Sequence, residues 1–338
     1  SPIPKIPNPT APSDFRPISV VPILSRILEK TIVKTHLYPV LENPRSSCLF
    51  DDQFAFRPTG STTSAIISIL HSITSLLSAD NHHVILISLD FSKAFDSVRH
   101  STLLEKMAAL PIPDHIYNWI TSYLDSRSHC TRFSNSLSSS NAITASVVQG
   151  SGIGPFSFVI TASDLSPISP LNKICKFADD MYLIVPASNA ASVCSELRHI
   201  ETWADRNNLK LNHSKTNEII FSKPKTRHPK PLPTPSLKSV DSLVILGVCI
   251  DSNLKMDQHI GDIISSASQS LFALRLLKHN GLPENKLFQV YQATTLAKLL
   301  YASQAWWGFT NCSQRQRLDS FVNKSKRLGY CCHYLPNF

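Results

Sequence analysis

The stretch Lys173-Ile174-Cys175-Lys176-Phe177-Ala178-Asp179-Asp180-Met181-Tyr182-Leu183-Ile184-Val185 sets an adjacent pair of aspartates between two short apolar and aromatic runs. Such runs on either side of a polar break read as a β-hairpin with Asp179 and Asp180 at its turn. Asp is an ordinary turn residue in its own right. The pair gains meaning from a second apolar run, Val84-Ile85-Leu86-Ile87-Ser88-Leu89, which also ends in a carboxylate, Asp90. If these strands are neighbours, Asp90 meets the hairpin pair at one end of a sheet. Three carboxylates held together repel unless hard cations neutralise them, and oxygen-only sets suit Mg²⁺ alongside substrate phosphates. The pattern predicts a two-metal phosphoryl-transfer site.

The chain has 338 residues, 42% of them hydrophobic, with 33 Lys and Arg against 24 Asp and Glu for a net charge of +9. That is apolar enough for a sizeable core spread over two or three domains, and it excludes a disordered chain. The positive balance favours a polyanionic partner. No apolar run reaches the roughly 18 residues of a membrane span, so no membrane partner is expected. The eight cysteines, at 48, 130, 175, 194, 249, 312, 331 and 332, include no C-x₂-C pair. Most lie within apolar runs, which predicts reduced, buried thiols in an intracellular protein. Cys331-Cys332-His333 is too compressed for a zinc site. There is no signal-peptide pattern, and the opening Ser1-Pro2-Ile3 reads as the start of a piece of something longer.

Working outward along the chain, residues 1–20 are Pro-rich and extended. Leu24, Ile27, Leu28, Ile32 and Leu37 keep the helical period over about Val21 to Leu41, with Arg26, Glu29, Lys30 and Lys34 opposite. Ser61 or Thr62 caps a second helix running to about Ala79, whose apolar face is Ile66, Ile69, Leu70, Ile73 and Leu77. After Asp96 the helical pattern breaks at Pro111 and Pro113 and resumes to Leu124. Residues 129–148 read as a hairpin with a Ser/Asn cluster at 134–141 as its turn. Three of the nine glycines crowd into Gln149-Gly150-Ser151-Gly152-Ile153-Gly154-Pro155, a spacing that points either to close approach of backbone to a ligand or to a plain strand-to-helix turn. Residues 188–208 suit a helix, Leu209-Lys210-Leu211-Asn212 a turn, and 215–221 a strand. Residues 222–236 form an exposed basic Pro/Lys-rich loop, and 243–251 read as one more strand. From Ile260 onward the pattern is helical: one segment to His279, one from Pro283 to about Trp307, and one from Cys312 to Tyr330 with a basic surface.

The motifs fall in a familiar order. Arg16-Pro17-Ile18-Ser19, Gln53-Phe54-Ala55-Phe56-Arg57, Asp90-Phe91-Ser92-Lys93-Ala94-Phe95-Asp96, Gln149 to Pro155, Phe177-Ala178-Asp179-Asp180, Leu209 to Asn212 with Lys215-Thr216, and Leu246-Gly247-Val248 resemble the successive blocks of reverse transcriptases from non-LTR, LINE-like retrotransposons. Each block alone is weak; all of them in order are specific. Ala55, Val148, Gly152, Phe177 and Met181 depart from the usual residues, and none of these departures removes a metal ligand.

The resemblance implies an α+β right-hand polymerase. Its fingers would be 1–83. Its antiparallel-sheet palm, flanked by helices, would be 84–258, with a finger-like insertion at about 106–140 and the loop 222–236. A helical thumb and the start of a C-terminal region would occupy 259–338. Such an enzyme copies an RNA template into DNA from a primer 3′-hydroxyl with dNTPs. Asp90, Asp179 and Asp180, with the Phe91 carbonyl, would hold two Mg²⁺, for which Mn²⁺ could substitute. Phe95 stands where the family has a steric gate against the ribose 2′-hydroxyl. Lys5, Arg16, Gln149, Gly150 and Lys215 would meet the nucleotide, and Arg57, Ser151, Leu246 and Gly247 the template or primer. The expected setting is intracellular, in the nucleus at the site of integration. Neither an upstream endonuclease nor a zinc knuckle is recognisable in the chain. The alternatives are a degenerate or domesticated copy that binds RNA or template–primer duplex without synthesis, and a two-metal nuclease.

Overall fold

The computed structural model describes residues 2–43, 46–79, 81–133, 135–223 and 231–332. In chain order the first elements are β1 (Pro2–Pro4), β2 (Phe15–Pro17), α1 (Ile23–Ile32), α2 (Tyr38–Glu42), α3 (Thr62–Ser78) and β3 (His83–Leu89). Next come α4 (Ala94–Ser97), α5 (His100–Ala108), α6 (Asp114–Leu124), β4 (Ser128–His129), β5 (Arg132–Phe133), β6 (Ser136–Leu137) and β7 (Asn141–Ala142). Then follow α7 (Gly154–Thr161), β8 (Lys173–Phe177), β9 (Asp180–Pro186), α8 (Val193–Arg206), β10 (Asn217–Ser222), β11 (Lys238–Ser239), β12 (Ser242–Ile245) and β13 (Val248–Asp251). The last are α9 (Asp257–His279), α10 (Glu284–Tyr291), α11 (Ala297–Leu300), α12 (Ser303–Trp306) and α13 (Cys312–Arg327).

Two compact units divide the chain. One comprises Ser1–Ser61, Leu86–Asn217 and Pro233–Lys238; the other comprises Thr62–Ile85, Glu218–Leu232 and Ser239–Phe338. One sheet carries β3, β9 and β8 as neighbours in that order. In the first unit β8 and β9 pair antiparallel from Lys173↔Ile184 to Phe177↔Asp180. Leu86, Ile87, Leu89, Met181, Leu183 and Val185 are each at most 2% exposed, so the unbroken apolar runs are strands covered on both faces. Helix α7 is buried along nearly its whole length, including Phe158 and Ile160, and packs on α5.

In the second unit α3 buries Ile66, Ile69, Leu70, Ile73 and Leu77, the face its period predicted, and packs on α12. The long α9 packs against β13, α10, α11 and α13 around buried Ile260, Leu274, Leu287 and Leu318. None of the described helices is long and apolar enough to cross a membrane.

Several expectations are corrected. In α1 the apolar stripe faces water: Leu24 is 81% exposed, Ile27 56% and Leu28 52%, whereas Glu29 is fully buried. The buried stripe runs through Glu29, Val33, Leu37, Val40 and Leu41. Backbone amides around Gly152 claim the Glu29 carboxylate, and a π-helical turn at Val33–Leu37 shifts the packed face downstream. Residues 243–251 are not one strand but the β12–β13 hairpin. Leu246 and Gly247, both at positive φ (47° and 87°), form its two-residue turn. Asp180 opens β9 opposite Phe177, leaving Ala178 and Asp179 as the turn. The 129–148 hairpin is two short ladders, β4–β7 and β5–β6, that end at Ala142, so strand residues occupy part of the Ser/Asn cluster. The second C-terminal helix is broken at Tyr301 and Ala302, where Ala302 adopts φ 49°. No disulfide joins the cysteines among the described residues. Cys175, Cys249 and Cys331 are buried; the other five are exposed, because an apolar sequence neighbour does not fix the side on which a thiol lies. Part of the basic loop, residues 224–230, lies outside the described residues, as does His333.

Candidate functional site

Asp90 follows β3 directly, Asp179 sits in the β8–β9 turn, and Asp180 begins β9. Asp90 and Asp179 are half-buried and Asp180 is exposed, so the cluster is open to solvent. Burial raises the Asp179 carboxyl above its ordinary value, and the charge of Asp90 adds to this; a backbone hydrogen bond and Arg16 act the other way. Burial and then the charges of Asp179 and Asp90 push Asp180 up to about 6. The charges of the three carboxylates thus act on one another.

They do not close into a cage. Among the described residues no three His, Cys, Asp or Glu side chains form a self-contained metal site. An open, oxygen-only, mutually repelling set still fits Mg²⁺, which keeps several waters and is held by one or two carboxylates together with substrate phosphates.

A segment far along the chain holds Asp90 in place. The Ser92 N–H donates to the Lys210 carbonyl (2.9 Å), the Asn212 N–H donates to the Asp90 carbonyl (2.8 Å), and Phe91 and Leu211 form an antiparallel bridge. The Asp90 N–H faces the Thr216 hydroxyl at 3.4 Å. Because the bridge uses the groups flanking Phe91, the Phe91 carbonyl stays outside it. The Phe91 ring is buried and meets Trp203 edge-on at 6.0 Å. Lys215 is exposed on the same turn that clamps Asp90.

Phe95 is half-buried and stacks on Phe158, with ring centroids 4.5 Å apart. Gln149 reaches the same region: its Nε2 donates to Asp96 Oδ1 at 2.9 Å, and its carbonyl accepts from the Ser19 N–H at 2.9 Å. Burial raises the Asp96 carboxyl, while Gln149, Lys93 and Lys5 counteract it. Each of the three loop glycines has a reason within the chain. A Cβ on Gly150, at φ 105°, would lie 2.8 Å from the Ser19 carbonyl oxygen. One on Gly152 would lie 2.8 Å from Glu29 Cβ, and one on Gly154 2.8 Å from the Ser151 hydroxyl. The glycine spacing is thus explained by the chain's contact with itself. Ser151 is buried and turned inward, donating to the Val148 carbonyl (2.8 Å) and accepting from the Gly154 N–H (2.9 Å). Glu29, missed by sequence reasoning, accepts from the Gly152 N–H at 2.5 Å, the Ile153 N–H at 3.3 Å and the Ser25 hydroxyl at 2.9 Å.

Arg16 on β2 is close enough to act on the Asp179 charge, and Lys5 on that of Asp96. Arg57 is folded onto its own loop, where its guanidinium donates to the Phe50 carbonyl. The Gln53 to Arg57 block begins with a strap beside β8: Phe54 N–H to the Lys176 carbonyl (2.8 Å) and Lys176 N–H to the Asp52 carbonyl (2.7 Å). Leu246 and Gly247 belong to the second unit, where the Tyr301 hydroxyl donates to the Leu246 carbonyl at 2.9 Å. The signal that could have flagged Asp96 was its membership of the Asp90 block. Nothing in the pattern marked Glu29, whose neighbours in α1 read as the polar face.

The family of reverse transcriptases (RNA-dependent DNA polymerases) matches residues 3–250. Among curated proteins, the probable RNA-directed DNA polymerase from transposon X-element of Drosophila melanogaster is 26% identical over 96% of this chain and 36% of its own length. That from transposon BS of the same fly is 27% identical over 96% of this chain and 37% of its own. The RNA-directed DNA polymerase from mobile element jockey is 25% identical over 88% and 34% respectively. The chain thus spans about a third of the length of these relatives. Among solved structures, telomerase from Candida tropicalis in complex with a fragment of telomeric RNA aligns over 90% of this chain and 47% of that one, at 12% identity and a TM-score of 0.52. The apo telomerase gives 13% identity and a TM-score of 0.51 over 89% and 54%. These likenesses establish the right-hand polymerase fold expected from the motif order. By its match over most of its length, and with relatives among non-LTR retrotransposons, the chain belongs to the reverse transcriptase (RNA-dependent DNA polymerase) family.

Proposed function

We propose that this chain is the catalytic part of a non-LTR retrotransposon reverse transcriptase, extending a DNA primer on an RNA template with dNTPs. The observation that carries this is the sharing of charge among Asp90, Asp179 and Asp180 at the junction of β3 and the β8–β9 hairpin, beside Arg16. Polymerases of this family use divalent metal ions, and the donor set suits two Mg²⁺, with Mn²⁺ as a substitute, held by Asp90, Asp179, Asp180 and the Phe91 carbonyl. Such ions, when bound, would supply a lowered pKa at the primer hydroxyl and neutralisation of charge on the leaving pyrophosphate.

The protein's own part is to bind and orient. Lys5 and Arg16 supply positive charge for the triphosphate, and Lys215 for its leaving end. Phe95, braced by Phe158, lies under the sugar and excludes a 2′-hydroxyl. Gln149, held by Asp96, and Gly150 border the nucleotide. Arg57 and Ser151 support the template side from within their own loops, and Leu246 with Gly247 the primer. The fingers, palm and thumb are proposed at 1–83, 84–258 and 259–338, acting in the nucleus where the element integrates.

The experiment is primer extension on an RNA template. Wild-type protein should add dNTPs only with Mg²⁺ or Mn²⁺, and Asp179→Asn should lower the rate by about 10³-fold or more while duplex binding holds. Binding without any extension by wild type under either metal would favour the non-catalytic reading, and metal-dependent RNA cleavage without dNTPs the nuclease.

A further inference from the structure

The hairpin that carries Asp179 contains a conformation it cannot hold cheaply. Its two-residue turn puts Ala178 at φ 57°, a region that side chains with a Cβ seldom adopt. Such a turn persists only where surrounding structure fixes it. The fixing group here is the side chain of Gln53, whose Oε1 accepts from the Ala178 N–H at 3.1 Å and from the Ala55 N–H at 3.0 Å. Both neighbours are backbone donors, so the amide must present its oxygen to them. The Nε2 that consequently points away is buried and has no hydrogen-bond partner among the described residues. A buried amide that leaves one end unsatisfied to hold two backbone N–H groups is an unusual arrangement, and it occurs one residue from Asp179.

Gln53 is itself rigidly held. It is 3% exposed and bridges in parallel to Lys176 on β8. The Phe54 and Lys176 amide bonds flank it on either side. Lys176, 1% exposed, pairs with Asp52 at 2.9 Å and donates to the Ala162 carbonyl at 2.9 Å. The strap is therefore tied to β8 by backbone and by charge, and Gln53 extends from it to the turn.

We propose that Gln53 is a positioning residue for the polymerase reaction: through the Ala178 amide it sets the β8–β9 turn and hence where Asp179 stands relative to Asp90. This rests on the polymerase reading above. Gln53 is buried and acts through backbone N–H groups, so its loss should change the chemical step and not nucleotide binding.

The test uses the full chain with Gln53→Met, which keeps length and apolar volume but removes the acceptor, and Gln53→Glu, which keeps an acceptor oxygen. Hydrogen–deuterium exchange of the peptide containing Ala178 reads the contact directly and needs no activity. Exchange there should quicken by about tenfold or more in Gln53→Met and stay near wild type in Gln53→Glu. Single-nucleotide incorporation on an RNA template should show kcat down about 10–100-fold in Gln53→Met, with dNTP KM and template–primer Kd within about twofold, a raised Mg²⁺ requirement, and substantial rescue in Gln53→Glu. If Gln53→Met fails to unfold cooperatively, Gln53→Asn, with its acceptor drawn back by one methylene, should show the same pattern at smaller amplitude. Unchanged exchange at Ala178 in these variants, or a rate that falls only with the fraction folded, overturns the proposal. If wild type adds no nucleotide, the polymerase reading fails, while the exchange measurement still decides whether Gln53 holds the turn.

Discussion

Replacing Asp180 with Asn removes one of three clustered charges while keeping the side chain's size. The Asp180 carboxyl is pushed up to about 6 from an ordinary 3.8, by burial and by Asp179 and Asp90. Between those two values the folded protein holds more protons than the unfolded chain. The stability this group contributes is thus fully present below about 3.8 and is lost as pH rises through about 6. A displacement of that size would correspond to about 3 kcal/mol. The side chain is exposed, so water screens most of that, leaving about 1 kcal/mol. In metal-free buffer with EDTA, wild type should lose stability relative to Asp180→Asn between pH 4 and pH 7. The gap should open to about 1 kcal/mol, read from denaturant unfolding, or about 2 °C or less in a thermal midpoint.

Divalent cations supply the opposite arm of the same experiment. Mg²⁺ or Mn²⁺ competes with protons for these oxygens, so ten times its Kd should stabilise wild type by about 1.4 kcal/mol at pH 7.5. The gain should shrink at pH 5 and be smaller in the variant throughout. Wild type and Asp180→Asn running parallel across pH 4–7, with or without the cation, would refute the claim that these three carboxylates share a charge environment.

Two further outcomes are expected. Phe95→Val should open space beside Phe158 and lower discrimination between dNTPs and rNTPs by about 10–100-fold in single-nucleotide incorporation; an unchanged ratio removes the gate assignment. Glu29→Ala should destabilise the protein by about 3 kcal/mol in denaturant unfolding, because the Gly152 and Ile153 amides lose their buried acceptor; a loss below about 0.5 kcal/mol would mean that they find another.

The parts of the site that chemistry selects by side chain were legible in the sequence. Asp90 and Asp179 lie far apart along the chain, yet each adjoins an apolar run that reads as a strand, and once two such strands are neighbours in one sheet their carboxylates meet at its end. The order of the blocks supplied the fold for the same reason. What was hidden lies in groups that act on backbone. Leu209 to Asn212 read as a turn, but its main-chain N–H and C=O groups clamp Asp90 and Ser92, and main-chain pairing leaves no composition signal. Leu246 is not a residue that announces a turn, so the β12–β13 hairpin passed for a strand.

Helix α1 misled for a related reason. A helical period identifies a stripe, and burial is then assigned to its apolar side because burying a carboxylate is costly unless it is fully hydrogen-bonded. Glu29 meets that exception with three donors, two of them amides of the glycine loop, and so turns the helix over. Gln53, Glu29 and the Leu209–Thr216 segment play the same physical part. Each supplies an acceptor or donor to a backbone that the fold holds in an awkward place. A strained turn, a glycine-tight loop and the exit of a buried strand all leave amides and carbonyls that regular structure cannot satisfy. The polar groups that answer them hold the Ala178 turn, the glycine loop and the exit of β3 in place.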